Sequence, residues 1–207
     1  MAARGRFITL EGGEGAGKST QAALLAERLR QDGREVVLTR EPGGSPGADI
    51  LRRLLLSGEH DWARLAEVLL HFASRAEHLD RVIVPALDRG AWVVCDRFAD
   101  STMVYQGWGL GADRAAITTL IGMMGLVPDL TLVLDVSVET TLRRLADRGD
   151  ALDRYERLGA PFFARIREGF LSVAEAHPDR CVVLSGETAV NQLTTEIDAI
   201  LRARLPS

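Results

Sequence analysis

Short apolar runs alternate with longer amphipathic stretches along this chain of 207 residues. The apolar runs, which are typical of buried strands, lie at 7–10, 35–38, 91–95, 130–136 and 181–184. The amphipathic stretches, which are typical of helices, lie at 19–32, 46–56, 62–89, 114–125, 138–148, 160–176 and 189–205. Since continuous apolar strands that alternate with helices form parallel sheets covered on both faces, we predict an α/β fold in one domain spanning 1–207.

The first apolar run is followed by a glycine-rich loop that fits the phosphate-binding pattern G-x-x-x-x-G-K-[ST]. The loop, with the first residue after it, comprises Gly12, Gly13, Glu14, Gly15, Ala16, Gly17, Lys18, Ser19 and Thr20. Its glycines allow backbone N–H groups to turn towards phosphate oxygens at a helix N-terminus. We predict that Lys18, the only lysine among 25 basic residues, reaches the outer phosphates and that Ser19 ligates Mg²⁺. The alternative is a glycine turn before an ordinary helix.

The composition is that of an ordinary globular protein, with 46% hydrophobic and 26% charged residues. A net charge of −4 argues against a nucleic-acid partner, and no apolar run approaches the roughly 20 residues that a membrane helix requires. We expect no signal peptide and a cytoplasmic, reducing location. Cys95 and Cys181 each lie in an apolar run, which is typical of buried thiols, and the four histidines show no metal-ligand spacing.

Charged residues lie at the ends of three of the predicted strands, at the sheet edge where phosphate chemistry is expected. Arg40 ends the second strand and is predicted to hold a phosphate, or else to pair with Glu41. Asp96 and Arg97 end the third strand, where Asp96 is predicted to hold Mg²⁺ through water and Arg97 to neutralise phosphate charge. Alternatively, Asp96 caps the next segment and pairs with Arg97. Asp135, after the fourth strand, is predicted to cap the following helix.

Three charges on predicted helices are hard to explain by packing. In the helix predicted at 62–89, Phe72 lies on the apolar stripe and Arg75 lies close to that face. Arg144 and Arg148 are four residues apart and therefore share a helix face. Like charges placed in this way repel each other unless an anion lies between them. The alternative is a solvated face on which neighbouring aspartates are the partners.

Taken together, these residues resemble thymidylate kinases of the bacterial type. The resemblance covers nearly the whole chain. It is carried by the motifs EGGEGAGKS at 11–19, TREPGG at 39–44, DRFADST at 96–102, YQG at 105–107, PDLT at 128–131 and DV at 135–136. The glycine loop alone indicates only a superfamily, whereas the second, third and fourth motifs are much narrower.

The resemblance implies transfer of the γ-phosphoryl group of ATP to dTMP, which gives dTDP and ADP, with Mg²⁺ as cofactor. It also implies a nucleoside-monophosphate-kinase fold with a five-stranded parallel sheet, and a homodimer. Since the acceptor oxygen already belongs to a phosphate, such a reaction needs positioning and charge neutralisation rather than a general base.

The resemblance further implies which residues surround dTMP. The apolar stripe on which Phe72 lies indicates a core side chain, but the resemblance implies instead that Phe72 stacks on thymine. Arg75 is expected to hydrogen-bond a base oxygen. The phosphate is expected among Arg40, Arg52 and Arg97. The sugar and base are expected near four polar side chains, Glu14, Thr102, Tyr105 and Gln106.

In relatives that carry an arginine inside the glycine loop, that arginine stabilises the transferred charge, but here Glu14 occupies the position. The resemblance therefore implies a lid at about 143–157 that supplies the arginines. Arg148 and Arg154 are predicted to be catalytic together with Lys18 and Arg97, and Arg144 to contact ATP. We expect the lid to carry much unpaired positive charge and to be mobile until phosphates arrive.

Other functions of phosphate-binding loops remain as alternatives. A GTPase generally reads guanine with an Asn-Lys-x-Asp motif, but Asn191 and Lys18 are the only asparagine and lysine in the chain. An ATPase without a small acceptor is disfavoured by Arg40 and Arg75. A kinase that acts on another nucleoside monophosphate stays open.

Overall fold

The computed structural model describes residues 4–149 and 152–205. Five parallel strands form one sheet in the order β2-β3-β1-β4-β5. They are β1 (Phe7–Gly12), β2 (Val36–Arg40), β3 (Trp92–Asp96), β4 (Leu130–Asp135) and β5 (Cys181–Ser185). The prediction of a five-stranded parallel sheet is confirmed, with strand ends that differ from the predicted ones by no more than two residues.

Helices follow the strands along the described chain. They are α1 (Lys18–Gln31), α2 (Pro46–Leu56), α3 (Arg64–His78), α4 (Val84–Asp88), α5 (Ala99–Thr102), α6 (Arg114–Met124), α7 (Val138–Arg148), α8 (Gly159–Ala176) and α9 (Val190–Arg204). Two π-helical turns, at Leu79–Ile83 and Met103–Gly109, and a 3₁₀ turn at Glu156–Leu158 lie between them. No helix in 4–149 or 152–205 combines the length and apolarity needed to cross a bilayer.

The three central strands of the sheet, β1, β3 and β4, are buried on both faces because they are apolar on both sides. Ile8 and Leu10 belong to a core cluster with residues of α1 and α9, whereas Phe7 and Val93 belong to a second cluster that includes Ile83. Burial of one such aliphatic or aromatic side chain stabilises the fold by about 1.5–3 kcal/mol. The central strand β1 is buried along its whole length, so the loop that follows it starts from a fixed point.

The helix predicted at 62–89 is helical from 64 to 88 but not α-helical throughout, and a helical segment over 99–109 was not predicted. The helix predicted at 62–89 is interrupted by the π-helical turn Leu79–Ile83, and Pro85, which lacks an N–H group, follows that turn. The helix and π-helical turn over 99–109 were missed because Gly107 and Gly109 weaken the helical pattern. Gly109 permits close packing on α8, since a Cβ at this position would lie 2.5 Å from the Phe162 ring.

The prediction that Asp135 caps the following helix was wrong. Ser137 is the N-cap of α7, and its hydroxyl accepts a hydrogen bond from the Thr140 N–H at 3.2 Å. The Asp135 carboxylate instead accepts two hydrogen bonds from Arg167, at 2.7 and 2.8 Å. Asp135 therefore ties β4 to α8.

Candidate active site

A cavity of about 520 Å³ opens at the carboxyl ends of β1, β2 and β3. The glycine loop, the first residues after β2 and β3, the turn after α5 and part of the predicted lid line it. Its size falls within the range of small-molecule sites, and carboxyl strand ends are where open parallel sheets bind ligands.

The glycine loop places Lys18 at the floor of this cavity. Gly17 adopts a left-handed conformation, with φ of 92°, and opens α1. Lys18 is 6% exposed, and its ammonium donates a hydrogen bond to the Gly13 carbonyl oxygen at 2.6 Å. Burial and the nearby Arg97 lower the pKa of Lys18 to about 8, against the opposing effect of Glu14 and Asp96.

Ser19 and Asp96 meet beside the loop because β1 and β3 are neighbours, with Leu10 and Asp96 in register. The Ser19 hydroxyl donates to Asp96 Oδ2, whereas Asp96 Oδ1 is buried with no hydrogen-bond partner among the described residues. No group of three or more His, Cys, Asp or Glu side chains in the described chain is placed to hold a metal. One carboxylate and one hydroxyl nevertheless fit Mg²⁺, which keeps several waters and takes phosphate oxygens as further ligands.

Arg97 is held between the loop and the turn after β3. It is a non-glycine residue with a positive φ, 69°, and its guanidinium donates to the Gly12 carbonyl at 3.0 Å and the Ser101 hydroxyl at 3.3 Å. It also donates to Glu14 at 2.7 Å. The Tyr105 hydroxyl donates to the same Glu14 oxygen at 2.8 Å. Burial disfavours the Glu14 carboxylate, but Arg97 and Lys18 outweigh it and lower the pKa of Glu14 to about 2.

Sequence reasoning assigned no role to Glu11, although it begins the glycine-loop motif. Its buried carboxylate accepts hydrogen bonds from the Phe98 N–H at 2.8 Å and from the Ser101 hydroxyl at 2.6 Å. Burial and the neighbouring Asp100 raise the pKa of Glu11 to about 7. Glu11 thus fastens the segment after Arg97 to the end of β1.

Arg75 lies on the acceptor side of the cavity and is only 2% exposed. It donates to Glu41 at 2.8 Å and to the Thr102 hydroxyl at 3.0 Å. Its guanidinium carbon lies 4.9 Å from the ring centre of Phe72 and 5.1 Å from that of Phe98. Arg75 Nη1 is buried without a hydrogen-bond partner in the described chain.

Gln106 lines the same cavity as Arg75. Its NH₂ group donates to Glu67 and to the Tyr155 hydroxyl, both at 3.0 Å. Within the described residues its carbonyl oxygen has no partner, although it too is buried. The residues that line the cavity therefore include three with a buried polar atom that has no partner in the described chain: a donor on Arg75 and acceptors on Gln106 and Asp96.

The structure places the three predicted phosphate arginines, Arg40, Arg52 and Arg97, along the cavity. Arg40 is exposed, and its suggested partner Glu41 pairs with Arg75 and His78 instead. Burial, with Arg40 and Arg97 nearby, lowers the pKa of Arg52. Such crowding of like charges suits an anion.

Two lid arginines, Arg148 and Arg154, pair with carboxylates, so the expectation of unpaired charge was wrong for these two residues. Arg144 donates to the backbone carbonyls of Gly15 and Gly186, at 2.7 and 3.0 Å. Arg148 pairs with Glu156 at 2.8 Å, and Arg154 pairs with Glu67 at the same distance. No anion is needed between Arg144 and Arg148. Residues 150–151 of the predicted lid lie outside the described residues.

Comparison with known proteins identifies the family. The thymidylate kinase family model matches residues 10–197. The chain belongs to the thymidylate kinase family. It is 48% identical over 205 residues to the thymidylate kinase of Caulobacter vibrioides, with 98% of each chain covered, and 52% identical over 184 residues to that of Gluconobacter oxydans, with 87% and 86% covered. The crystal structure of thymidylate kinase from Ehrlichia chaffeensis matches with a TM-score of 0.78 at 35% identity, covering 96% of this chain and 99% of that one.

Within this kinase fold, most of the predicted site residues meet in one cavity. The predicted site residues that are not among the described residues lining it are Gly12, Gly13, Phe72, Arg144 and Arg154. Phe72 is 4% exposed and packs with Val68, Ala112 and Ile117, so its stacking on thymine stays a prediction. Five residues near or at the cavity were not expected to belong to the site: Glu11, Glu41, Glu67, Tyr155 and Glu156. Apart from Glu11 and Glu41, which lie inside recognised motifs, no local pattern marks them.

Proposed function

We infer that this chain is an ATP-dependent thymidylate kinase, which transfers the γ-phosphoryl group of ATP to dTMP and releases ADP and dTDP in the synthesis of dTTP. The observation that carries this inference is one cavity that is lined both by the phosphate-binding loop and by Arg75 and Gln106, each of which has a buried polar atom without a partner among the described residues. We propose that one domain performs the whole reaction.

The unpaired atoms of Arg75 and Gln106 support a thymine base. Thymine presents a carbonyl oxygen beside a ring N–H, which an Arg75 donor and a Gln106 acceptor complement. Cytosine presents an amino group beside an unprotonated ring nitrogen, which places donor against donor and acceptor against acceptor. Since a buried polar group without a partner costs about 1–3 kcal/mol, this pair disfavours dCMP by about 10- to 100-fold.

Phosphoryl transfer here depends on positioning and on neutralisation of charge. In this proposal Lys18, Arg97 and Arg148 supply cations around the reacting phosphates, while Arg144 holds the glycine loop through the Gly15 carbonyl. Ser19 and Asp96 hold Mg²⁺, which supplies charge neutralisation on the phosphate oxygens when it is bound.

The acceptor phosphate is proposed to lie among Arg40, Arg52 and Arg97. Glu14 remains ionised because its pKa is about 2, so its carboxylate can accept a hydrogen bond from the sugar 3′-hydroxyl. Tyr105 donates to Glu14 and occupies space beside the sugar. This supports a preference for a deoxyribose over a ribose.

We propose a cytoplasmic homodimer. α3 and α6 pack against each other and leave large apolar side chains exposed, among them Leu65 and Leu69 on α3 and Met123 on α6. A second copy that covered this face would remove the apolar surface from water. Cys95 and Cys181 are free, buried thiols, which fits a reducing compartment.

An acceptor screen tests the proposed reaction. ADP release is measured with ATP, Mg²⁺ and each of dTMP, dUMP, dCMP, AMP and GMP. We expect the highest kcat/KM with dTMP. A higher value with another acceptor would assign the chain to a different nucleoside monophosphate, and equal ADP release without any acceptor would make it an ATPase.

A further inference from the structure

Glu67, on α3, is a buried carboxylate for which the reaction outlined above has no role. It is 1% exposed. Its Oε1 accepts hydrogen bonds from the Gln106 NH₂ group at 3.0 Å and from the Tyr155 hydroxyl at 2.7 Å, while its Oε2 lies 2.8 Å from the Arg154 guanidinium. A carboxylate is retained in such a site only when it is paired. The three partners come from the base side of the cavity and from the lid.

The chemistry of Glu67 determines which way the Gln106 amide points. A carboxylate only accepts hydrogen bonds, so only the NH₂ end of Gln106 can face it. The Gln106 carbonyl oxygen is then turned the other way, where it is buried without a partner in the described chain. Glu67 therefore sets the direction of the Gln106 carbonyl oxygen, which faces away from the Glu67 carboxylate.

The neighbouring groups allow one arrangement of hydrogens. Burial, followed by Glu67, raises the pKa of Tyr155 well above its usual value, so its hydroxyl keeps its proton and donates it to Glu67. The Tyr155 oxygen then accepts from the Gln106 NH₂ group and from His71 Nε2, which lies 3.1 Å away. Burial lowers the pKa of His71 to about 3, so the ring is neutral and carries its single N–H on Nε2.

We propose that Glu67 is a positioning residue that sets the base preference by turning the Gln106 carbonyl oxygen towards the base, and that the same carboxylate anchors the lid through Arg154 and Tyr155. The inference rests on the proposed thymidylate kinase activity. The Glu67 side chain acts through Gln106 on the base and through Arg154 on the lid.

Glu67→Gln separates this role from a merely structural one. The single oxygen of an amide cannot accept hydrogen bonds from both Gln106 and Arg154, so one of these two hydrogen bonds is lost. If the new NH₂ group faces Gln106, the Gln106 amide turns round and offers its own NH₂ group to the base. We expect the ratio of kcat/KM for dTMP to that for dCMP to fall about tenfold or more, since one hydrogen-bond mismatch is involved. Glu67→Asp keeps an acceptor-only group and should keep the ratio near the wild-type value even where kcat falls.

A double-mutant cycle tests the route through Gln106. In a Gln106→Ala background the amide is gone, so Glu67→Gln should change the ratio by less than about twofold. Glu77→Gln is the matched control, because Glu77 lies on the same helix, is partly exposed and pairs with Arg81 at 3.4 Å on the surface. That variant should leave the ratio and Tm unchanged. A Glu67→Gln substitution that lowers kcat/KM equally for dTMP and for dCMP would overturn the proposal.

A measurement on the wild-type enzyme decides the matter if Glu67→Gln does not fold. With ¹⁵N-glutamine labelling and bound dTMP, the Gln106 NH₂ hydrogens should show NOEs to the Tyr155 ring and none to thymine. NOEs from that group to the base would overturn the proposal. A wild-type enzyme without activity on dTMP would instead refute the proposed function, so the two failures are distinguishable.

Discussion

Replacement of Lys18 by methionine should make the protein more stable while it abolishes turnover. Lys18 is 6% exposed, and burial and Arg97 lower its pKa from 10.5 to about 8. A lowered pKa means that the folded protein disfavours the charged form. At about 1.4 kcal/mol for each pKa unit, the cation costs about 3 kcal/mol of stability at neutral pH. Methionine fills a similar volume without that cost.

The stability gain has a definite pH dependence. Between pH 8 and 10.5 the unfolded chain keeps a proton on Lys18 that the folded chain has lost, so the stability of the wild type rises with pH in this window. The variant lacks this titration. Its advantage over the wild type is therefore full below pH 8 and disappears as the pH approaches 10.5.

Urea unfolding of both proteins at pH 7 and pH 9.5 measures the gain, together with Tm, which should rise by about 6–12 °C at pH 7. Turnover should fall by about 100-fold or more, because the lysine is proposed to stabilise charge on the transferred phosphate. Arg53→Met, which removes an exposed arginine from α2, serves as the control and should change neither quantity much. A less stable Lys18→Met protein, or a gain that does not shrink at pH 9.5, would refute the electrostatic argument. Near-normal turnover would refute the role of the loop.

Arg75→Ala should raise the KM for dTMP by about tenfold or more and narrow the preference over dCMP, as expected for loss of a charged hydrogen bond worth about 1.5–3 kcal/mol. The substitution should also lower Tm, because the buried Glu41 loses its cationic partner. An unchanged preference for dTMP over dCMP would place Arg75 away from the base. Arg148→Ala and Arg154→Ala should lower kcat about 100-fold while the KM for dTMP changes little, because the lid acts mainly in the closed state. Arg157→Ala, which removes an exposed lid arginine, is the control. If kcat stays within about threefold of wild type in both Arg148→Ala and Arg154→Ala, the catalytic role must belong to acceptor-side arginines.

The glycine loop and the strand ends could be predicted from the sequence because each depends on residues close together in the chain. Five apolar runs define the strands, and parallel pairing brings their carboxyl ends to one edge. Asp96 and Arg97 follow β3 directly, so their place beside Ser19 needs only the adjacency of β1 and β3. That adjacency was not predicted, because the pattern of apolar runs does not set the order of the strands in the sheet.

The charge pairs could not be predicted, because they join residues far apart in the chain. Glu67 and Tyr155 are separated by 88 positions, and Glu41 and Arg75 by 34. In the sequence Glu67 is one acid among others on an amphipathic helix. Only packing makes it a buried carboxylate with three donors around it. The lid arginines raised the same difficulty, since their carboxylate partners could not be distinguished from solvated acids.

Buried carboxylates form a recurring arrangement around this cavity. Glu14 holds Arg97, Glu41 holds Arg75, and Glu67 holds Gln106 together with the lid. In each case the carboxylate accepts hydrogen bonds from one edge of a guanidinium or amide group. Because a carboxylate can only accept, this contact fixes the direction in which the rest of that group points. A guanidinium has five N–H donors, so Arg97 can keep Glu14 while it also meets a phosphate. The carboxylates therefore stay bonded to these arginines when substrates bind. The loss of side-chain entropy on ordering the arginines then occurs during folding and not at each turnover.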